Sequence, residues 1–256
     1  MAVIIKTPEE IQKIREGGKI LAQILEKLSR EVVVGMTTYE IDNRAAELVR
    51  ASGGTAAFLG YTPHGVKTAY PASICVSIND EVVHGIPDKN RVINTGDIVS
   101  LDLGLKYKNM FTDHAVTIAV GPVSKTGREL IDTCRESLLL GIEEIKPGAR
   151  VGDIGNAVQA FVEKRKFGIV RGLAGHGVGR AIHEDPYVPN YGRKGTGEYL
   201  RPGMVIAIEP MITLGNPDVV FLDDEYTVVT TDGSKSAHFE HTVLITETGY
   251  EILTLP

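Results

Sequence analysis

The chain has 256 residues, 43% hydrophobic and 23% charged, a balance that fits a folded protein with ample core and excludes a disordered or fibrous one. A net charge of −6 and a pI near 5.7 exclude a global basic field that would draw nucleic acid or anionic membrane. No apolar run approaches the roughly 18 residues of a membrane span, and two cysteines without CxxC spacing predict a reducing compartment, the cytoplasm by default.

The opening MAVIIKTPEE lacks the basic stretch and long apolar run of a secretory signal. Thr7-Pro8-Glu9-Glu10 is a capping box with proline at the first helical position. Ile11, Ile14, Leu21, Ile24, Leu25 and Leu28 then mark one face of a helix running to about Glu31. A second box, Thr37-Thr38-Tyr39-Glu40, opens a helix carrying Ile41, Ala45, Leu48 and Val49, which Gly53-Gly54 stops. Strands are predicted around 74–78, 97–105 and 113–120. A helix over roughly 124–145 breaks at Pro147-Gly148, and another covers about 153–166. Strands follow near 203–209, 219–222, 226–230, 237–246 and 250–254.

One acidic phrase occurs twice. Residues 96–102 read GDIVSLD and residues 203–209 read GMVIAIE, each ending an apolar run on a carboxylate. Further on, Asp113 opens DHAVTIAVG and Glu240 opens EHTVLITETG. The helices echo as well: GARVGDIGN (148–156) matches GMTTYEIDN (35–43) at a constant offset. A repeat this long is not a solenoid. It predicts one α+β domain over 1–256, built from two pseudo-symmetric halves, approximately 1–121 and 122–256. A central, mainly antiparallel sheet would carry helices on its outside.

Apolar strands rarely hold buried acids, because a desolvated charge is costly unless it is paired or binds metal. Four converging acids would drive one another towards protonation, and two divalent cations would cancel that repulsion. A dinuclear metal site is therefore the leading expectation. A hairpin about Tyr107-Lys108 would set Asp102 directly opposite Asp113, with Cβ atoms ~5 Å apart. Glu209, in VIAIEPMI, is too apolar in context for a casual surface position.

Imidazole ligands would shift metal preference from magnesium or calcium towards manganese, iron, cobalt or zinc. His176 sits in GLAGHGVGR, where glycines let the backbone bend close to a site; His183 follows in AIHEDP and His84 in VVHGIP. A lone histidine is ordinarily a surface or hydrogen-bonded core residue, and His64, His114, His238 and His241 are read that way. The glycine cluster is no phosphate loop, since Arg180 stands where GxGxxG needs glycine.

The stretches YPASICVSINDEVVHGIP (70–87), GDIVSLDLGLKYKNMFTDHAVT (96–117), GHGVGRAIHEDP (175–186), MVIAIEPM (204–211) and SAHFEHTVLIT (236–246) span most of the chain. On these it resembles the methionine aminopeptidases of the type I, bacterial kind, which share the pita-bread fold. The resemblance implies that Asp102, Asp113, His176, Glu209 and Glu240 bind two divalent ions (Co, Mn, Fe or Zn). It implies a hydrolase that removes the N-terminal methionine from nascent proteins and peptides by cleaving the first peptide bond. Glu209 would be general base and proton shuttle, His183 a hydrogen-bond donor to the carbonyl oxygen, and His84 the contact to the scissile nitrogen. Tyr70, Cys75 and Tyr226 would line the methionine pocket, with Phe58 and Tyr61 as weaker candidates beside a core-packing role. The chain departs from the family pattern at His238, where glutamine is usual, and in a longer segment between Leu59 and Tyr70.

The partners expected are peptide or nascent-chain N-termini beginning with methionine, with a transient ribosome contact, no nucleic acid substrate and no membrane; the protein would act as a cytoplasmic monomer. Four alternatives compete with this reading. Prolidase and aminopeptidase P usually carry an extra N-terminal domain, for which the early start of the fold leaves no space. The type II methionine enzymes carry an insert that the 25 residues between His183 and Glu209 do not accommodate. A non-catalytic pita-bread binding scaffold would typically have lost ligands. A two-metal phosphatase or nuclease would want a basic groove.

Overall fold

The computed structural model describes residues 3–256; residues 1–2, included in the expected single-domain span, lie outside the described residues. Helix α1 is Pro8–Glu31, and its capping box forms as the sequence predicts: the Thr7 side chain accepts from the Glu10 backbone while Glu10 reaches back to the Thr7 N–H. Helix α2, Thr38–Ala51, has the same closed box between Thr37 and Glu40. In the second half α3 spans Lys125–Glu143, with Ser124 as its cap, and α4 spans Val151–Lys164. Helix α4 starts two residues earlier than expected, because the Asp153 carboxylate accepts from the Arg150 backbone. Arg150 is not a residue the capping signature would single out.

Two local details run parallel in the stretches that echo each other in sequence. Helices α2 and α4 are both 14 residues long. Each is preceded by a glycine in the left-handed region, Gly35 at φ 92° and Gly148 at φ 83°. Each has its cap residue held in a lone antiparallel bridge, Thr37 to Val92 and Arg150 to Tyr199.

The strands Asp97–Tyr107 and Met110–Val120 form a long hairpin in the largest sheet among the described residues. Met110–Val120 pairs with Glu240–Ile245, which pairs with Val205–Ile208, which pairs with Gly175–Gly177. Every pairing in that sheet is antiparallel, and it runs through both halves without a break. Helices α1 and α2 cover one apolar cluster, with Leu21, Leu25, Ile41, Leu101 and Leu103 at its heart. Helices α3 and α4 cover the other, built on Leu130, Ile142, Ile154, Val158 and Ile206. This is the pita-bread architecture that the resemblance implies.

Two expectations need correction. The hairpin turns at Lys108-Asn109 (φ 48° and 63°), not about Tyr107-Lys108. A two-residue turn with both central residues at positive φ suits asparagine and matches strand twist. Moving the turn by one residue moves every partner by two, so Asp102 faces Ala115 and Asp113 faces Gly104. The two aspartates stay on one face as diagonal neighbours rather than a direct pair. The stretch 237–246 is not one strand either. Ser236–His238 pairs with Met211–Thr213 in a small sheet, and Glu240–Ile245 crosses into the large one. Short strands at Gly175–Gly177 and Glu184–Val188 were not foreseen, since glycine and proline mask their pattern.

Candidate metal centre

Each acid is placed by a strand or a strand end. Asp102 lies mid-strand opposite Cys75. Asp113 donates its backbone N–H to the Thr242 hydroxyl at 2.9 Å, and that hydroxyl donates back to the Asp113 carbonyl at 2.7 Å. This clamp joins the first-half hairpin to the strand that opens with Glu240. The pairing of Ile208 with His241 sets Glu209, one residue past its strand, alongside Glu240. The Asn190 amide holds the Glu209 carbonyl at 3.0 Å.

The four carboxylates converge with His176. Atoms of Asp102, Asp113 and Glu240 able to bind a metal lie within 4.8 Å of one another, and so do those of His176, Glu209 and Glu240. Glu240 belongs to both groups, so the two triads share a corner. The His176 Nδ1 meets the Gly177 carbonyl at 2.8 Å, which fixes Nδ1 as a donor and leaves Nε2 for the site. That Nε2 is 3.5 Å from Glu209 Oε1 and 3.9 Å from Asp113 Oδ2.

Burial dominates the electrostatics. It raises the Asp102 carboxyl to about 7, a rise opposed by His238 and aided by Glu209. It raises Glu209 to about 8. Asp113 and Glu240 are pushed well above the carboxylate range, by burial first and then by the neighbouring acids. His176 falls to about 3 and His84 to about 4, again mainly through burial. The imidazoles are thus neutral, as ligands must be, whereas the raised acids would release their protons as a cation binds. The fit to metal rests on a separate observation. Asp102 Oδ1 and Glu240 Oε1 are buried without a hydrogen-bond partner among the described residues, a costly condition that a divalent cation would relieve. The mixed carboxylate and imidazole set suits the first-row metals named from the sequence.

The other expected site residues surround this cluster on a cavity of about 440 Å³. His84 follows the strand Glu81–Val83 with φ 60°, a left-handed conformation that aims the chain into the cavity wall. His183 stands at the mouth, its ring 4.5 Å from that of His176 and nearly perpendicular to it. Tyr70, Cys75 and Tyr226 form one apolar cluster with Phe58 and Ile182, and Tyr61 packs against it. The Tyr70 ring meets Tyr226 edge-on at 5.0 Å and Phe58 at 6.5 Å. Burial raises the Cys75 thiol well above its ordinary value, so it packs as an inert apolar group.

His238, expected to be an ordinary histidine on its own residues but marked as a departure from the family's glutamine, has its Nε2 3.6 Å from Glu209 Oε2, and neither ring nitrogen has a hydrogen-bond partner among the described residues. Its spacing of two from Glu240 is a further signal. Two other features carry no such mark in the sequence. Ile182 packs in the apolar cluster with Tyr70, Cys75 and Tyr226, and only its adjacency to His183 hints at that. His64 lies on the cavity rim, a placement set by the Leu59–Tyr70 segment that no pattern reveals.

The model of metallopeptidase family M24 matches residues 12–247. Methionine aminopeptidase 1 of Bacillus subtilis is 45% identical over 252 residues, covering 98% of this chain and 99% of its own length. The solved structure of a methionine aminopeptidase from Thermotoga maritima covers both chains completely at 45% identity, with a TM-score of 0.95. A prolidase from Pyrococcus furiosus aligns with 99% of this chain but only 66% of its own, at 25% identity and a TM-score of 0.76.

Proposed function

The chain belongs to metallopeptidase family M24 and resembles its type I methionine aminopeptidases from end to end, and from that premise we propose how its residues divide the work. It is a metal-dependent aminopeptidase that hydrolyses the first peptide bond to release N-terminal methionine. The prolidase likeness is weaker in both identity and coverage.

We infer two divalent ions per chain, of Co, Mn, Fe or Zn, held by Asp102, Asp113, His176, Glu209 and Glu240. The observation that carries this is the pair of three-residue groups sharing Glu240, each within 4.8 Å. When bound, such ions supply Lewis-acid polarisation and lower the pKa of a coordinated water. Glu209, a member of the group with His176 and close enough to Asp102 to act on its charge, takes the proton of the attacking water and passes it to the departing nitrogen as the carbon–nitrogen bond breaks. His183, at the mouth, donates a hydrogen bond to the carbonyl oxygen as it gains negative charge. His84, on the same cavity, contacts the scissile nitrogen. The cluster of Tyr70, Cys75 and Tyr226 receives the methionine side chain, where aromatic faces and sulfur suit a polarizable thioether. The chain would work as a single catalytic domain and a monomer in the cytoplasm, meeting nascent N-termini with a transient ribosome contact.

Chelation followed by add-back of manganese, iron, cobalt and zinc tests the reading on a Met-Ala-Ser peptide, with an Xaa-Pro dipeptide and a phosphodiester in parallel. Release of methionine that disappears with chelator and returns with metal is expected. Cleavage of the Xaa-Pro bond in preference would overturn it.

A further inference from the structure

His183 is held by a residue that the reaction scheme above does not use. Its Nδ1 lies 2.8 Å from the Tyr61 hydroxyl, the one hydrogen bond its ring makes among the described residues. The two rings are 5.2 Å apart and tilted by 53°. With Nδ1 taken by the phenol, Nε2 is the nitrogen left for the site. A neutral imidazole has one donor and one acceptor nitrogen, and the partner of the first sets the role of the second.

Tyr61 is itself built in place. It lies in the segment between Leu59 and Tyr70, and backbone bonds close that segment at its base. Tyr70 N–H donates to the Tyr61 carbonyl at 2.8 Å, Gly60 N–H to the Tyr70 carbonyl at 2.9 Å, and Tyr61 N–H to the Phe58 carbonyl at 2.9 Å. From across the cavity the Tyr226 hydroxyl donates to the Thr68 carbonyl at 2.6 Å and approaches the Tyr61 carbonyl at 3.3 Å.

The direction of the Tyr61–His183 bond follows from what His183 faces. A ring nitrogen of His183 lies within 4.8 Å of ligand atoms of Asp113 and His176. His176 donates through Nδ1 to Gly177 and so keeps a lone pair on the nitrogen left for the site; a second lone pair turned towards it is repelled, whereas an N–H is attracted. The arrangement that avoids repulsion has the phenol donating to Nδ1 and the proton resting on Nε2.

We propose that Tyr61 is a positioning residue that donates its hydroxyl proton to Nδ1 of His183, selecting the tautomer in which Nε2–H can donate to the carbonyl oxygen of the scissile bond. This rests on the role given to His183 above. The opposite tautomer would present a lone pair to that oxygen and could not stabilise it. The long segment thus does more than shape the pocket rim: it determines which way the histidine at the mouth can bond.

Tyr61→Phe removes the hydroxyl and little else. Nitrogen-15 NMR of histidine-labelled, metal-free protein reports the tautomer directly, with His183→Asn used only to assign its signals. Wild type is expected to carry the proton on Nε2 alone, and Tyr61→Phe to show a mixture of tautomers at unchanged melting temperature. In the manganese-loaded enzyme, kcat for Met-Ala-Ser is expected to fall about tenfold in Tyr61→Phe, with KM within twofold. Tyr226→Phe, which loosens the segment at Thr68, should shift both readouts the same way by less. A wild-type proton on Nδ1, or an unchanged tautomer or unchanged kcat in Tyr61→Phe, overturns the proposal. Were the wild type to leave the Met peptide uncut, the function would fail while the metal-free spectrum still judged the Tyr61–His183 bond.

Discussion

The ionisable residues of the centre oppose one another in how they couple folding to pH. A buried acid raised above its ordinary value binds more protons folded than unfolded, so stability falls as pH rises towards the folded value. Asp102 at about 7 and Glu209 at about 8 act in this sense, and Asp113 and Glu240 in the same direction. The lowered imidazoles, His176 at about 3 and His84 at about 4, act in the other sense, but only up to the ordinary histidine value near 6.5. Between pH 6.5 and 8 the acids therefore act alone. The melting temperature of chelated protein should fall across that window and the fall should vanish with divalent metal; a flat or rising apo curve would contradict it. Asp102→Asn should weaken metal binding, measured by calorimetry, by more than about 100-fold, since even residues that merely orient a ligand cost 10–100-fold. His238→Gln should leave activity near normal, because an amide nitrogen can meet Glu209 as the imidazole does; a hundred-fold loss would refute it.

At the level of the element, local rules worked where a single segment carried its own signal. The Thr7 and Thr37 boxes were legible because the donor and acceptor lie three residues apart. Thr7→Ala should cost about 1 kcal/mol, seen as a drop in melting temperature of roughly 2–4 °C. The hairpin register was less legible, because moving a turn by one residue preserves the apolar alternation on both faces. The outcome matters for the pocket. The residue facing Asp113 is Gly104, where an added Cβ would come within 2.8 Å of Phe58 and 3.1 Å of Ile182. Gly104→Ala should crowd that wall and raise KM for a methionine peptide about tenfold at a smaller change in kcat, in line with ~1–3 kcal/mol for overpacking. Helix α4 shows the same economy of space. A Cβ at Gly152 or Gly155 would meet backbone carbonyls of Arg193 or Tyr191 at 2.5 Å, so the glycines let the 189–197 loop lie against the helix.

Across the whole molecule, the two halves are joined by the sheet rather than by a linker. Glu240–Ile245 pairs with a first-half strand on one side and a second-half strand on the other, and Thr242 clamps Asp113 directly. The apolar clusters on the two sides both reach Val116, so neither half can lose its helices without exposing shared strands. Calorimetry of the metal-loaded protein should therefore show one cooperative transition; two separable transitions would argue for independently folding halves.

The sequence by itself determined the four helices and singled out an internal echo and four acids. Each of these is written in spacing along the chain: capping boxes, a 3.6-residue apolar face, and carboxylates misplaced in apolar runs. The resemblance then ranked His84, His176 and His183 above the other imidazoles, which spacing could not do. Only the tertiary structure decided that Glu240 lies in both of the three-residue groups able to hold a cation, that His238 stands against Glu209, and that Tyr61 holds His183. Those contacts join residues far apart in sequence. No local pattern encodes such contacts, because their distances depend on how the two halves meet and where a single turn places its register.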